Sequence, residues 1–274
     1  MLVVILALMP ATGFGIYNFG LDVLYLILVT VGTAILCEYI SGLLMKRPVT
    51  IGDYSAVVTG LLLALTLPPE APLWLGVVGG IFAVFVVKML FGGLGQNIMN
   101  PAMAARCFLF ISFAPFMKVN QNTDMENPKL LDMLFGYTGG GIGETSMIAL
   151  ILGAVFLVIL GVIDLKIPMM YIVTFLISLV LLSGNFEADY LITQLVGGGL
   201  IIGAFFMATD YATSPITPRG KIIMGIGCGF LTVMIRFYGG YPEGVSYAIL
   251  IMNLFVPVID KYVRPRIYGK VKRK

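Results

Sequence analysis

The sequence predicts an all-α polytopic membrane protein with about ten transmembrane helices. Of 274 residues, 59% are hydrophobic and 11% charged, whereas soluble domains average about 25% charged residues. Mean hydropathy is +1.01, more apolar sequence than a soluble core can absorb. Apolar stretches run almost end to end, most of them near the roughly 20 residues that a bilayer-spanning helix needs. Only short Gly, Pro and charged punctuation separates them. Residues 1–274 therefore read as one membrane domain.

The spans fall at residues 2–19, 21–45, 54–67, 72–91, 97–117, 144–163, 167–183, 190–209, 219–237 and 244–262. No small-residue cleavage pattern follows the first, which leads straight into the second, so it reads as a retained helix. The third is short and ends in Leu67-Pro68-Pro69. Proline stops the hydrogen-bond ladder, so a broken or re-entrant helix is expected there. In the fifth, Asn100 and Pro101 read as N-cap and first helical residue. Arg106 then sits roughly 7–8 Å along that helix, at about 1.5 Å per residue. It needs an anionic partner, and Glu38, Asp210 or a cofactor qualifies; snorkelling to the surface is the plainer alternative. The sixth span follows the segment from Thr138 to Ser146, with Thr145 and Ser146 expected in its first turn. The eighth closes on Ala208-Thr-Asp-Tyr-Ala-Thr-Ser-Pro215. A carboxylate at a span's edge, here Asp210, faces protein, water or an ion.

With ten spans both termini share one side, and basic residues choose it. Lys46, Arg47, Lys88, Lys166, Arg219, Lys221 and seven from Lys261 to Lys274 lie together, with Lys118, Lys129 and Arg236 opposite. By the positive-inside rule the termini are cytoplasmic and the 118–143 loop is outside. The basic tail, 263–274, reads either as a headgroup anchor or as a dock for a partner subunit. Pro72, Gly79, Gly92-Gly93 and Ala102 recur as Pro218, Gly225, Gly239-Gly240 and Ala248, at offsets of 146 or 147. A five-helix unit repeated once must be inverted, giving halves at 1–117 and 144–262 with sites near their interface.

The chain has no histidine, and Cys37, Cys107 and Cys228 make no ligand spacing. Any redox chemistry therefore belongs to a bound organic cofactor. No metal or nucleic-acid partner is expected. The segment Gly139–Ser146 offers flexible backbone at a helix N-terminus, a setting that favours an anionic group such as a phosphate. The plainer reading is an ordinary loop with a Ser/Thr cap, and the spacing fits no P-loop or dinucleotide fingerprint.

Gly143-Glu144-Thr145-Ser146 resembles the flavinylation motif of a membrane flavoprotein family. That family contains the B subunit of the sodium-pumping NADH:quinone oxidoreductase and the D subunit of the Rnf complex. Ser55–Pro69, Phe91-Gly-Gly-Leu-Gly-Gln-Asn97, Asn100-Pro-Ala-Met-Ala-Ala-Arg106 and Met207–Pro215 resemble the same family, and the compact length is similar to its Rnf branch. The resemblance implies FMN on the Thr145 hydroxyl through a phosphoester, installed outside the cytoplasm by a flavin transferase, with Gly143, Glu144 and Ser146 around it. It also implies a fold similar to urea and ammonia channels. A non-covalent riboflavin is implied as well, with Asn100, Arg106, Thr213 and Ser214 expected at its site. The expected role is electron relay and Na+ or H+ transport within a bacterial or archaeal cell-membrane complex. Ferredoxin and NAD would be handled by partner subunits, so no complete reaction is expected of this chain alone. Family members usually begin with a polar segment, whereas this chain opens on Met1-Leu-Val-Val-Ile. The alternative from another class is a channel or transporter for a small neutral solute, which the inverted repeat and sparse intramembrane charge also fit.

Overall fold

The computed structural model describes residues 1–47, 50–117, 140–239 and 244–263. All regular structure among the described residues is helical. Residues 118–139 of the predicted loop, with Lys118 and Lys129, and the tail beyond Val263 lie outside them. Helix α1 spans Leu2–Phe19 and α2 spans Leu21–Leu44, hinged at Gly20, whose φ of 84° suits glycine. Helix α3, Ser55–Thr66, stops ahead of Pro68 and Pro69 as expected. Helix α4, Leu73–Ile81, runs on as a π-helix over Phe82–Met89. Helix α5, Pro101–Ser112, is followed by the short α6, Ala114–Met117.

In the second half come α7, Met147–Ile159, α8, Lys166–Ser183, and α9, Ala188–Val196. Helix α10, Leu200–Ile202, continues as a π-helix over Gly203–Met207. Helices α11, Pro218–Tyr238, and α12, Gly244–Tyr262, complete the described fold. Five of these, α1, α2, α8, α11 and α12, are long and apolar enough to cross a bilayer. Helices α3, α4, α5 and α7 are shorter apolar helices. The predicted eighth span is not one helix: α9 and α10 meet at a 61° bend, where Gly198 and Gly199 take positive φ. The predicted sixth span starts late, at Met147, because Ser146 rather than Thr145 is the N-cap, accepting from the Ala149 amide.

The exterior is apolar and much of the polar chemistry is inside, the arrangement expected when lipid is the solvent. Leu181 is 78% exposed, while Glu38, Lys88, Arg106 and Asn253 are buried. Small residues let the backbones approach closely. Gly225 and Gly229 of α11 lie against the α8 backbone at Ile167 and Tyr171. There the Tyr171 hydroxyl shares a 2.6 Å hydrogen bond with Thr232. Helix α7 packs on α1, and α12 on both α11 and α5.

Candidate functional site

Two loci stand out, near opposite ends of α3. The first is the segment before α7. Four of its amides already have partners. Ile142 N donates to Leu67 O at 3.0 Å, Gly143 N to Leu65 O at 2.7 Å, and Glu144 N to Gly141 O at 2.9 Å. Gly141 N donates to Glu144 Oε2 at 3.4 Å. These amides are therefore not the exposed donors expected from sequence, because the segment docks onto carbonyls that α3 leaves open at its C-terminus. The glycines permit that approach. A Cβ on Gly143 would lie 2.7 Å from the Leu65 Cβ, and one on Gly15 of α1 would lie 2.8 Å from Ile142.

Glu144 accepts a 2.7 Å hydrogen bond from Arg106 Nη1, and both side chains are buried. Arg106 thus has a carboxylate partner, but it is neither of the two named from sequence, and the arginine does not snorkel. The Glu144 carboxylate rests on the α9–α10 break, its carboxyl carbon 2.8 Å from where a Gly199 Cβ would be. On the far side of the break Arg236 donates to Gln194 O at 2.6 Å and to Gly197 O at 2.9 Å. Its guanidinium carbon lies 5.1 Å from the Phe175 ring centroid. Arg236, counted from sequence among the outer basic residues, is turned inward to cap α9. Thr145 is 2% exposed, and its hydroxyl donates to Ile142 O at 3.3 Å. Docked in this way the hydroxyl is covered, whereas a phosphoester needs open space beside it.

The second locus is a cleft at the Ser55 end of α3, enclosing about 800 Å³ when counted out to its open mouth. Ser55 and Leu65 are ten residues apart, which places the two loci about 15 Å from each other along the helix. Val58, Leu62, Phe205, Phe206 and Tyr211 give the cleft apolar and aromatic walls, and Thr59, Asn97, Asn100, Thr209 and Asp210 supply polar groups. Both π-helical stretches contribute, the first through Lys88 and the second through Phe205 and Phe206. Beside it lies a second buried pair. Lys88 Nζ donates to Glu38 Oε1 at 2.8 Å and to Ser55 Oγ at 2.5 Å, while Thr50 donates to the same Glu38 oxygen at 2.7 Å. Glu38 and Lys88 are only 1% and 2% exposed, so Lys88 is not the surface cation counted from sequence.

Asn100 caps α5 as expected, accepting from the amides of Ala102 and Met103, and its Nδ2 donates to Met207 O at 3.3 Å. Asn253, oriented to satisfy its neighbours, donates to Thr213 O and accepts from Asn100 N. Thr213 donates to Asp210 Oδ2 at 3.1 Å. Asn100 therefore lines the cleft while its amide works structurally, and Thr213 supports Asp210 from behind. The structure separates Arg106 from this group, and Ser214 is not among the lining residues. Asn253 was missed from sequence, and so was the pairing of Glu38 with Lys88. The usable signal was that Glu38 and Lys88, of opposite charge, both lie inside predicted spans and must be paired.

These features define an integral membrane protein with a charge-paired interior and an aromatic-walled cleft. The profile of the NQR2, RnfD, RnfE family matches residues 1–269, and the chain belongs to that family. It is 44% identical to the D subunit of the Na(+)-translocating ferredoxin:NAD(+) oxidoreductase complex of Acetobacterium woodii, over 99% of this chain and 90% of that one. It is 39% identical to the D subunit of the proton-translocating ferredoxin:NAD(+) oxidoreductase complex of Clostridium ljungdahlii, over 97% of this chain and 90% of that one. It is 37% identical to the D subunit of the ion-translocating oxidoreductase complex of Stutzerimonas stutzeri, over 100% of this chain and 92% of that one.

Proposed function

We propose that this chain is the D-type membrane subunit of an ion-translocating ferredoxin:NAD oxidoreductase complex, relaying electrons through bound flavin and contributing to ion transport. The observation that carries this reading is end-to-end similarity to relatives bearing that name. The same similarity favours it over a neutral-solute channel. Relatives named for Na(+) and for proton translocation are both similar to this chain, so the coupling ion is not carried over. Ferredoxin and NAD would be bound by partner subunits of the complex.

Two flavin positions are proposed. The first is Thr145, whose hydroxyl would carry FMN through a phosphoester installed by a flavin transferase; the motif Gly143–Ser146 supports it. The second is a non-covalent riboflavin in the cleft beside α3, where aromatic walls meet a few convergent polar groups. Phe205, Phe206 and Tyr211 would flank the ring system, and Thr59, Asn97, Thr209 and Asp210 would meet its polar edges. A flavin supplies the electron chemistry there, while these residues bind it, orient it and exclude water.

The ten apolar segments are read as two inverted five-helix halves of a channel-like fold, with both termini cytoplasmic and Thr145 on the outer side of the cell membrane. One local equivalence supports the inversion. Lys88 reaches the first residue of α3, and Arg236 reaches the residues just ahead of α10. Each cation precedes its half's paired glycines.

The test is made on the purified complex with and without this chain. Loss of ferredoxin-dependent NAD reduction without it is expected, and full activity in membranes lacking the chain would refute the role. On a denaturing gel the chain should fluoresce as a flavoprotein when a flavin transferase is co-expressed, and Thr145→Ala should not. An undiminished signal in Thr145→Ala would refute the attachment point. Ala212 also lines the cleft, so an Ala212→Trp chain, which fills it, should assemble without the flavin that denaturation releases; unchanged release would refute the cleft assignment.

A further inference from the structure

We infer that Gly140–Ser146 is a latched strap, that the buried Arg106–Glu144 pair is its latch, and that the strap must lift before the Thr145 hydroxyl can be modified. The latch stands on geometry alone. Its consequence for flavin attachment rests on the reading of Thr145 given above.

The strap touches four parts of the fold. Ile142 and Gly143 pair with the end of α3, and Ile142 also packs on Gly15 of α1. Glu144 takes the Arg106 guanidinium from α5 and fits against Gly199 at the α9–α10 break. The glycines hold it close, because a Cβ on Gly141 would lie 3.2 Å from the Leu65 and Thr66 carbonyl oxygens. Of these contacts only the ion pair is long-range and charged, so it fixes the strap against the body of the fold. Removing one partner leaves the other charge buried, which makes the docked state costly and the lifted one favourable by comparison.

Thr145 follows Glu144 inside this strap, covered and hydrogen-bonded. Esterification would form a bond from phosphorus to Thr145 Oγ and break the pyrophosphate bond of an activated flavin dinucleotide. The flavin phosphate stays on the threonine, the nucleoside monophosphate on the other side of the broken bond leaves with the bonding electrons, and the hydroxyl proton passes to solvent. The attacking oxygen must approach phosphorus in line with the leaving oxygen, on the surface of a second protein. A hydroxyl that is 2% exposed cannot meet that geometry without local opening. The product adds a bulky, negatively charged group next in sequence to a buried carboxylate, which disfavours a second anion nearby. Re-docking in the same form is therefore opposed, and modification holds the strap open.

Two experiments test the inference. In the first, Cys37, Cys107 and Cys228 are replaced by Ala, and Thr145→Cys is labelled with a maleimide in membranes. Phe186→Cys, at a position that is 77% exposed, serves as the reference. Thr145→Cys should react at least about tenfold more slowly than the reference, because reaction waits on opening. Adding Arg106→Gln should raise its rate toward the reference. Labelling as fast as Phe186→Cys with the latch intact would overturn the inference without depending on any latch variant's folding. A rate that Arg106→Gln leaves unchanged would overturn the latch.

In the second, the full chain made without a flavin transferase is purified and then given the transferase and flavin dinucleotide. Wild type should gain gel fluorescence several-fold more slowly than Arg106→Gln, which lies outside the motif that the transferase would read. Equal rates would overturn the inference. If no variant gains a flavin-mass adduct on the Thr145 peptide, the flavin reading of Thr145 fails, and the labelling rates judge the latch separately.

Discussion

Replacing Lys88 by Met should destabilise the protein by roughly 3–5 kcal/mol, the usual cost of removing one partner from a buried ion pair. The geometry puts this site at the upper end. Lys88 Nζ has two short contacts, to Glu38 and Ser55, and both charged side chains are at most 2% exposed, so solvent screens little. Without Lys88, Glu38 keeps one hydrogen bond, from Thr50, and its Oε2 is buried without a donor among the described residues. The carboxylate is then buried without its cation. Glu38→Gln/Lys88→Met removes both charges and should recover most of the loss, giving a coupling of about 2 kcal/mol or more in a double-mutant cycle. Unfolding in detergent, followed by fluorescence of the single tryptophan, Trp74, provides the readout at pH 7. A single variant within about 1 kcal/mol of wild type, or a double variant as unstable as the single, would refute the assignment of Lys88 to Glu38.

Gly199→Ala should lower stability by roughly 1–3 kcal/mol, since φ is 68° and a Cβ would press on Glu144; Gly13→Ala, with open space around it, should be near neutral in the same unfolding assay. Asn100→Ala loses an N-cap and the link to Met207 O, and a loss of about 2 kcal/mol is expected. Asp164 lies in the loop between α7 and α8, where hydrogen bonding from Lys166, aided by Lys221, holds its carboxyl below the ordinary range. Its contribution is therefore present above the usual Asp pKa and is lost as pH falls below that range through the lowered folded-state value. Because the pair is exposed, Asp164→Asn should change thermal stability only slightly at low salt and not at all at high salt.

The helices were legible because each rests on neighbours in sequence. An apolar run near the length of a bilayer, a proline pair after α3 and an Asn-Pro step before α5 act over a few residues, and the observed helices begin and end close to them. The partners were not legible. Arg106 and Glu144 are 38 residues apart in sequence, across a loop whose length says nothing of where it returns. Lys88 and Glu38 are separated by 50. Lys88 and Arg236 each sit near a predicted span end, where an anchoring cation and an inward-turned one look alike in sequence.

Thr145 shows the same division at one residue. A glycine-rich segment before a helix, carrying Glu, Thr and Ser, drew attention to a hydroxyl, and the family resemblance gave it a chemical role. The fold turns that hydroxyl inward and gives the cap to Ser146 and the ion pair to Glu144. Sequence alone determined that this chain lives in a membrane, that it is helical and which family it belongs to, since composition, periodicity and motif are properties of the chain itself. Only the tertiary structure decided which charges meet, where a cleft opens and that Thr145 is covered, because burial is a relation between segments that the chain order leaves far apart.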